Sequence, residues 1–417
     1  MIEMLKKILH KFICSQLLCR DKNLKNFLFF IDELYFYDNR SNAYVSKFSA
    51  GNFIKLLQKE LNINSSFLVP VSHDDPPSTY STKLNVDEYK VEELLGWDSI
   101  ISYYKTILNP KNYFSLKRKL KRLIDNFDVF WVRLPSPFGL WLGKEAERRD
   151  KFVIYHVAGD IRVAYLSSKY KGIKRIIAKI MGNYLHRKSL KLGKNGIFLC
   201  TGSVLYDIYK KVNKKVFYFV DTTISTKDIR EPRRDLKEPI KFLYVGRILE
   251  EKGIFFLINA LKELKEKYKL ELHIVGFGRD ESKLKQIIKD GDFITFHGFV
   301  PQGEKLHGIY SSSDIFVMPT ISYPEGFPRV ILEAWANGLY VISSRVGGIE
   351  GLGQDFENLL FFGPGDKSEL IKKVELILDN SEIRERLRNG ILQIQRKITS
   401  EYMINFLKEI LIEEGII

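Results

Sequence analysis

Two glutamates eight residues apart, Glu325 and Glu333, mark the segment of this chain with the most chemical potential. Glu325 stands in a Gly/Pro turn, and Glu333 lies about two turns into a helix that starts near Pro328. A turn that leads into a helix gathers unpaired N–H groups and the positive end of the helix dipole at one point. Such a point binds phosphate, and a carboxylate beside it accepts hydrogen bonds from sugar hydroxyls. We therefore expect the backbone at Gly326 and Phe327 to meet a ligand, with a strand end and a structural glutamate as the alternative interpretation.

A second segment has the order of strand, glycine turn and helix that is typical of phosphate sites. An apolar run over 242–245 ends at Gly246 and Arg247, and an apolar-periodic helix follows Lys252 and Gly253. Arg247 offers a fork of donors and Lys252 a compact charge, and the pair suits a diphosphate. Two solvated surface cations are the alternative, which the glutamate pair elsewhere in the chain makes the weaker one.

These segments resemble the retaining nucleotide-sugar glycosyltransferases of family 4, which have the GT-B architecture. The matching residues are Gly246-Arg247, Lys252-Gly253, His297 to Val300, Ser313 to Thr320, Glu325 to Glu333, Ala334, Gly338 and Val346 to Gly348. The resemblance covers residues 240–380 well and residues 1–235 weakly. The motif set is specific in its order and spacing, whereas no single piece of it would be.

The resemblance implies roles for several side chains. Glu333 would bind the ribose hydroxyls of the donor, Glu325 would orient hydroxyls of the donor sugar, and the backbone around Val300 would meet the nucleobase edge. The family also places a histidine of the first domain beside the donor sugar. His156, at the end of an apolar run, is the best candidate, with a hydrogen-bonded structural histidine as the alternative. Asp160 is a candidate to hold the acceptor.

Two features depart from the family pattern. Pro328 stands where the family often has a second glycine, and proline removes one backbone donor from the site. The family's Gly-Gly loop near the N-terminus is missing, and the nearest substitute is the segment of residues 49–52 before a helix. Within it, Gly51 is the candidate acceptor contact.

Sugar transfer from a nucleotide diphosphate places growing negative charge on the leaving group. Cations fixed in a poorly solvated cleft stabilise that charge, usually as the largest catalytic contribution. We assign this task to Arg247 and Lys252, assisted by the helix N-terminus after Gly253. With two cations and a helix dipole present, we expect neither a metal ion nor a cofactor.

The composition bounds the class of protein. The 417 residues suffice for two domains, and the apolar content of 45% is that of a soluble globular protein. No apolar run reaches 18 residues, so no transmembrane helix is expected. Cationic residues interrupt the N-terminal apolar pattern, which argues against a signal peptide. Cys14, Cys19 and Cys200 form neither a disulfide framework nor a zinc spacing, which favours a reducing cytoplasm.

Alternation of strand and helix patterns predicts an α/β fold with two doubly wound, Rossmann-like domains that face each other across a cleft. Residues 1–222 form the expected acceptor domain, 223–239 a linker, and 240–399 the nucleotide-sugar domain. The family implies that residues 400–417 form a helix that crosses back to the first domain. Expected strands lie at 26–31, 66–71, 129–134, 152–156, 197–200, 216–220, 241–245, 271–275, 293–297, 315–318 and 340–343, with a helix at 50–61 and a loop at 72–90.

The net charge of +15 is concentrated in one region, because residues 101–200 hold 22 Lys/Arg and only 6 Asp/Glu. Such a patch attracts an anionic surface. Cations mix with bulky apolar residues at 113–124, 162–194 and 1–18, as in segments that lie on a bilayer. We expect Lys117, Arg118, Lys119 and Arg122 to face the membrane. The alternative for each segment is an apolar stripe in the core with a solvated charged face.

The leading hypothesis is therefore a retaining glycosyltransferase that builds a surface polysaccharide, lipopolysaccharide, capsule or glycolipid. Its donor would be a UDP- or GDP-sugar, and its acceptor a lipid-linked or other glycan. It would be cytoplasmic and peripherally attached to the inner membrane. One alternative is a GT-B nucleotide-sugar 2-epimerase, against which the basic region argues. The other is a nucleic-acid-binding protein that uses the basic patch, although no recognised binding module occurs, so no nucleic-acid partner is expected.

Overall fold

The structure is a computed structural model that describes residues 25–166, 170–288, 293–322 and 326–417. Within these residues the chain builds two sheets, one from residues 27–218 and one from residues 240–362. Helices connect most successive strands, as parallel strand pairing requires. This arrangement confirms the predicted α/β fold with two Rossmann-like domains.

Ten strands form the first sheet, in the order β10-β9-β8-β7-β1-β4-β2-β3-β5, with β6 also paired to β4. The strands are β1 Phe27–Phe30, β2 Tyr35–Asp38, β3 Ala43–Ser46, β4 Ser65–Ser72, β5 Thr82–Asn85, β6 Lys90–Leu95, β7 Val129–Leu134, β8 Phe152–Val157, β9 Gly196–Cys200 and β10 Val216–Tyr218. Pairing is parallel except where β3 joins β2 and β5. The central strand β1 is buried along its whole length, which explains its unbroken apolar sequence.

Two layers of helices cover this sheet. The helices are α1 Ala50–Leu61, α2 Ile100–Leu108, α3 Pro110–Asn126, α4 Pro137–Glu147, α5 Ile173–Ser189 and α6 Ser203–Lys210. Buried residues of α2, α3, α4 and α6 share one core with one face of the sheet, whereas α1 belongs to the core on the other face. The basic region therefore coincides with the first of these helical layers.

The second sheet has six parallel strands in the order β13-β12-β11-β14-β15-β16. They are β11 Ile240–Val245, β12 Leu270–Val275, β13 Ile294–Gly298, β14 Ile315–Met318, β15 Tyr340–Ser344 and β16 Leu360–Phe362. The remaining helices are α7 Ile254–Leu264, α8 Glu281–Ile288, α9 Glu304–Ser312, α10 Arg329–Ala336, α11 Lys367–Asp379, α12 Ser381–Gln395 and α13 Ser400–Glu413. Strands β11 and β14 are neighbours, so their carboxyl ends bring the two candidate motifs to one edge.

The C-terminal helix α13 packs against the first domain. The ring of Phe406 lies 6.1 Å from that of Phe217, and Lys215 forms a 2.6 Å ion pair with Glu414. A second contact joins the domains through backbone alone, where a β-carbon placed on Gly202 would lie 3.0 Å from the Cα of Gly348. Only glycine permits this approach.

The predicted strands of both sheets are present, but the expectation of a loop at 72–90 is wrong in part. Strand β5 lies inside that range, and β6 begins at its end. The hairpin of β2 and β3 was not predicted either. These strands are mostly four residues long, too short for an alternating pattern to separate them from the turns between them.

No helix in the described parts of the chain is long and apolar enough to cross a membrane. Cys200 is a free thiol in the core, and burial raises its pKa to about 12. Cys14 and Cys19 lie outside the described residues, as does the amphipathic segment at 1–18.

Candidate active site

The loop between β11 and α7 carries the predicted diphosphate cations. Arg247 is exposed directly after the strand, and Lys252 is half-buried at the end of a short 3-10 turn. Gly253 follows in the left-handed conformation, with φ of 77°, and begins α7. A β-carbon there would meet the carbonyl oxygen of Pro319 at 1.8 Å, so glycine is required for the loop to lie against the end of β14.

Backbone hydrogen bonds join this loop to the segment that precedes α10. The amides of Ile321 and Ser322 donate to the carbonyl of Glu251 at 3.0 and 3.3 Å. The segment continues to Gly326 and Phe327 and enters α10 at Arg329, so the helix N-terminus opens toward the same edge. The two motifs, about eighty residues apart in the chain, are thus neighbours in space, as parallel strands β11 and β14 dictate.

Glu325 lies outside the described residues. Its partner Glu333 is half-buried on α10, and its Oε2 accepts a 2.8 Å hydrogen bond from the hydroxyl of Tyr310. Burial raises the pKa of Glu333, and the bond from Tyr310 opposes the rise. The Tyr310 hydroxyl fixes the carboxylate orientation and was not recognised from the sequence.

The residues predicted to meet the nucleobase lie at the end of β13. Gly298 has a left-handed φ of 67°, its carbonyl accepts from the amide of Gly276, and Val300 is buried just beyond it. Two aromatic rings at the ends of β12 and β13, Phe277 and Phe299, are about half exposed and meet edge to face at 5.3 Å. Exposed aromatic faces of this kind can stack on a base, and no periodic pattern in the sequence marks them.

His156 lies at the carboxyl end of β8, as predicted, but only 1% of its surface is exposed. Its Nε2 is 3.2 Å from the hydroxyl of Thr201, and the rings of Trp131 and Phe219 meet it edge-on. Burial lowers the pKa of His156 to about 4, so the imidazole is neutral at pH 7. Two residues beyond it, the carbonyl of Ala158 approaches Gly326 of the second domain.

The two acceptor candidates have different surroundings. Arg162 donates to both carboxylate oxygens of Asp160, at 2.6 to 3.2 Å, and this pairing outweighs burial and lowers the pKa of Asp160. Gly51 packs inside α1, where a β-carbon would lie 2.5 Å from the Tyr35 hydroxyl. Ser49 at the start of that helix, rather than Gly51, lines the space between the domains.

A buried charged network in the first domain was missed from the sequence. The Nη1 of Arg133 on β7 donates to Asp221 at 3.1 Å. Burial raises the pKa of Asp221, but the charges of Arg133 and Arg329 and the hydrogen bond from Arg133 help to outweigh it and hold that pKa below its usual value. Glu33 lies in the same field, and burial raises its pKa against the opposing charges of Arg133 and Arg329. Its Oε2 is buried without a hydrogen-bond partner in the described parts of the chain.

A cavity of about 230 Å³ separates the two domains at this point. Glu333 and Arg329 line it from the second domain, and Ser49 and Thr223 from the first. The Nη2 of Arg329 donates to the Oγ of Ser49 at 2.5 Å, which closes one side of the cavity. Arg329 directly follows Pro328. Its contact with the first domain was not predicted because Ser49 is distant from it in the sequence.

Two further predictions concern the membrane-facing cations of α3 and the absence of a metal ion. Within the predicted membrane-facing set on α3, Lys119 and Arg122 form ion pairs with Glu92 at 3.3 and 2.6 Å, whereas Lys117 and Arg118 are simply exposed. The expectation of a metal-free site rests on the cations Arg247 and Lys252. It cannot rest on the lack of an Asp-x-Asp motif, because Asp290-Gly291-Asp292 has that spacing. That tripeptide lies outside the described residues.

Comparison with known proteins finds similarity mainly in the second half of the chain. Residues 225–392 match the family model of glycosyl transferases group 1. The amylovoran biosynthesis glycosyltransferase AmsK of Erwinia amylovora is 37% identical over 128 residues, 29% of this chain and 31% of its own length. Seven curated relatives at 29–38% identity are matched over only 27–52% of their own length.

One relative is matched over more of the chain. It is the N,N'-diacetylbacillosaminyl-diphospho-undecaprenol alpha-1,3-N-acetylgalactosaminyltransferase of Campylobacter jejuni, 25% identical over 74% of this chain and 84% of its own length. Among solved structures, Anabaena Alr3699/HepE in complex with UDP covers 93% of this chain and all of its own, with a TM-score of 0.65 and 14% identity. At that identity the likeness shows the fold, which is GT-B.

Proposed function

We propose that this protein is a retaining glycosyltransferase that transfers a sugar from a UDP- or GDP-sugar to a lipid-linked glycan acceptor. The product would enter a surface polysaccharide, lipopolysaccharide, capsule or related glycolipid. The match of residues 225–392 to glycosyl transferases group 1 supports the class of activity. The named relatives act in amylovoran biosynthesis and on an undecaprenol-diphosphate substrate, which supports the acceptor class.

The observation that carries the proposal is the hydrogen-bonded junction of the loops after β11 and β14. It joins the loop that carries Arg247 and Lys252 to the segment that leads into α10. Glu333 lies about one turn into that helix. Few ligands other than a nucleotide diphosphate need two cations, a helix N-terminus and a carboxylate for ribose hydroxyls within one cleft.

Each group has a task in the proposed reaction. When the bond between the anomeric carbon and the phosphate oxygen breaks, Arg247, Lys252 and the helix amides stabilise the charge on the departing diphosphate. Glu333 holds the ribose, and Glu325 orients the sugar. His156 is buried and neutral, so it adds no positive charge that would oppose an oxocarbenium-like centre.

The acceptor would arrive from a membrane surface bound by the first domain. Helix α5 supports this proposal, because Ile173, Ile176, Ile177 and Ile180 are 55–73% exposed and Tyr184 continues the same stripe. These positions follow the helical period, so one apolar face meets solvent instead of the core. Exposed Lys174, Arg175 and Lys179 flank that face, as in helices that lie on anionic bilayers.

A screen of nucleotide sugars for thermal stabilisation tests the donor assignment. A bound donor raises the apparent stability by mass action, by about 2.7 kcal/mol at one hundred times its Kd. UDP and GDP should stabilise the wild type and should fail to stabilise Arg247→Ala combined with Lys252→Ala. Stabilisation by no nucleotide at millimolar concentration would reject the proposed function.

The stereochemistry and the metal requirement are tested with the active donor. NMR of the product should show the anomeric configuration of the donor, and turnover should persist in excess chelator. If chelator abolishes turnover and a divalent ion restores it, the Asp290→Asn and Asp292→Asn variant would show whether the Asp-x-Asp segment holds that ion. An inverted product would remove the retaining assignment.

A further inference from the structure

A groove of about 540 Å³ lies between α4 and α5, on the helical face of the first domain. Its apolar wall is formed by Leu140 and Trp141 of α4 and by Tyr104 of α2 and Tyr184 of α5. The ring of Trp141 also stacks on that of Tyr113, with 5.8 Å between centroids. One wall of the groove is therefore mainly aromatic and apolar, and the Trp141 ring in that wall is held by its stacking on Tyr113.

Cations crowd one end of this groove. Lys144, Lys188, Lys191 and Lys194 line it, and none of the four forms an ion pair with a residue in the described parts of the chain. The acidic lining residue Glu147 is committed to the fold, since its Oε1 accepts from the Tyr155 hydroxyl at 2.9 Å and from the Gly193 amide at 2.6 Å. The four lysines outnumber this one carboxylate, so the cationic end keeps an excess of positive charge and suits an anion.

The cationic end of the groove lies near the amino ends of the strands, at the edge of the sheet away from the cleft between the domains. Helix α4 starts directly after the carboxyl end of β7, whereas the segment after α5 returns to the start of β9. Lys188, Lys191 and Lys194 belong to this returning segment. Trp141 lies toward the cleft end of α4. Arg148, at the other end of that helix, is about 10 Å from Trp141 along the helix axis, at 1.5 Å per residue.

We propose that this groove binds a single anionic phospholipid of the bilayer, with its phosphate at Lys188, Lys191 and Lys194 and an acyl chain along Leu140 and Trp141. The proposal rests on the membrane attachment proposed above and names a lipid site within it. The exposed isoleucine face of α5 adjoins the groove on the same helix, so apolar contact continues from one to the other. A lipid-linked acceptor is a poorer occupant, because its diphosphate must lie near the cleft and not at the opposite end.

Trp141 makes the site observable. Of the four tryptophans, Trp97, Trp131 and Trp335 are 5% exposed or less, and Trp141 alone is partly exposed at the groove. A short-chain phosphatidylglycerol with brominated acyl chains, used below its micelle concentration, should quench the full-length protein saturably. The matching brominated phosphatidylcholine should quench little, and Trp141→Phe should lose the quenching.

Two charge variants locate the headgroup. Lys188→Glu with Lys191→Glu should weaken phosphatidylglycerol binding about tenfold or more, since each cation near an anionic lipid contributes substantially. Lys117→Glu with Arg118→Glu makes the same change in net charge on exposed positions of α3 and should leave that binding nearly unchanged. Thermal stabilisation by the nucleotide donor in both variants confirms that they are folded.

Three outcomes would overturn the lipid site: no quenching in the wild type, equal quenching by both lipids, or equal weakening by both charge variants. Because the lipid is monomeric in this assay, these outcomes do not depend on vesicle binding. Vesicle sedimentation tests the proposed membrane attachment separately, and donor stabilisation tests the proposed donor binding.

Discussion

The guanidinium of Arg329 in the second domain donates a 2.5 Å hydrogen bond to the hydroxyl of Ser49 in the first. Arg329 is the first residue of α10, so this contact between domains lies immediately beside the proposed phosphate site. Its charge also acts on the buried carboxylates of Glu33 and Asp221. If the donor binds at the start of α10 as proposed, we expect its binding to be coupled to this contact between the domains.

Arg329→Ala should lower turnover by roughly tenfold or more, because an oriented charged hydrogen bond is lost and two buried carboxylates lose a compensating charge. Ser49→Ala removes only the hydrogen bond and should have a smaller effect. Arg345→Ala, which changes an exposed cation paired with Glu350 and Asp355, serves as the control. Steady-state turnover measures all three, and equal rates for Arg329→Ala and Arg345→Ala would contradict the coupling.

Arg247 and Lys252, the two cations after β11, should matter for turnover more than exposed cations elsewhere on the surface. We expect Arg247→Ala and Lys252→Ala each to reduce turnover by roughly two or more orders of magnitude, the scale of electrostatic transition-state stabilisation. Lys262→Ala, an exposed cation further along α7, should leave turnover unchanged. Near-normal rates in both site variants would refute the assignment of these residues to the leaving diphosphate.

The sequence predicted the second domain better than the first, for physical reasons visible in particular residues. Arg247, Lys252 and Glu333 follow buried strands or lie on an amphipathic helix, and parallel pairing of β11 and β14 must bring them together. Arg133, Asp221 and Glu33 come from separate strands and connections, 88 residues apart for the hydrogen-bonded pair, without a local pattern. Their proximity depends on the strand order of the first sheet, which composition and periodicity do not determine.

The sequence also did not predict which amphipathic helix faces are exposed to solvent. The stripes of α3 and α5 have the same mixture of cations and apolar residues, yet Leu116, Leu120, Leu123 and Ile124 of α3 are buried. The first turns of α5 are exposed on all sides instead. Which amphipathic helix packs into the core depends on tertiary contacts and not on its own periodicity.

The two glutamates should separate nucleotide binding from sugar transfer. Glu333→Gln should weaken binding of the bare nucleotide diphosphate, and Tyr310→Phe should do so to a smaller extent because it releases the carboxylate. Glu325→Gln should spare that binding and reduce transfer. Isothermal calorimetry with nucleotide and nucleotide sugar distinguishes the roles, with Glu382→Gln as an exposed control. Identical losses in both glutamate variants would disprove the division.

His156 should make stability depend on pH. Burial lowers its pKa to about 4, below the ordinary value of 6.5, so the unfolded chain binds a proton more readily between these values. The contribution of neutral His156 to the free energy of unfolding is complete above about pH 6.5. This contribution, up to about 3 kcal/mol, is lost as the pH falls toward 4. His156→Gln should show a flatter decline in the free energy of unfolding between pH 7.5 and 5. Parallel curves for wild type and variant would contradict this, and His73→Gln, on the surface, provides the control.

Membrane attachment should depend on the isoleucine face of α5 more than on the cations of α3. Apolar insertion persists at high salt, whereas attraction between exposed charges is screened within about 8 Å at physiological ionic strength. Ile176→Asp with Ile177→Asp should therefore release the protein from anionic vesicles at both low and high salt. Lys117→Glu with Arg118→Glu should weaken sedimentation of the protein with vesicles at low salt only. Adding Lys119→Glu and Arg122→Glu would also break the ion pairs with Glu92. Ile412→Asp, an exposed apolar residue on α13, should bind as the wild type does. Vesicle binding that survives in the α5 variant at high salt would assign insertion to another surface.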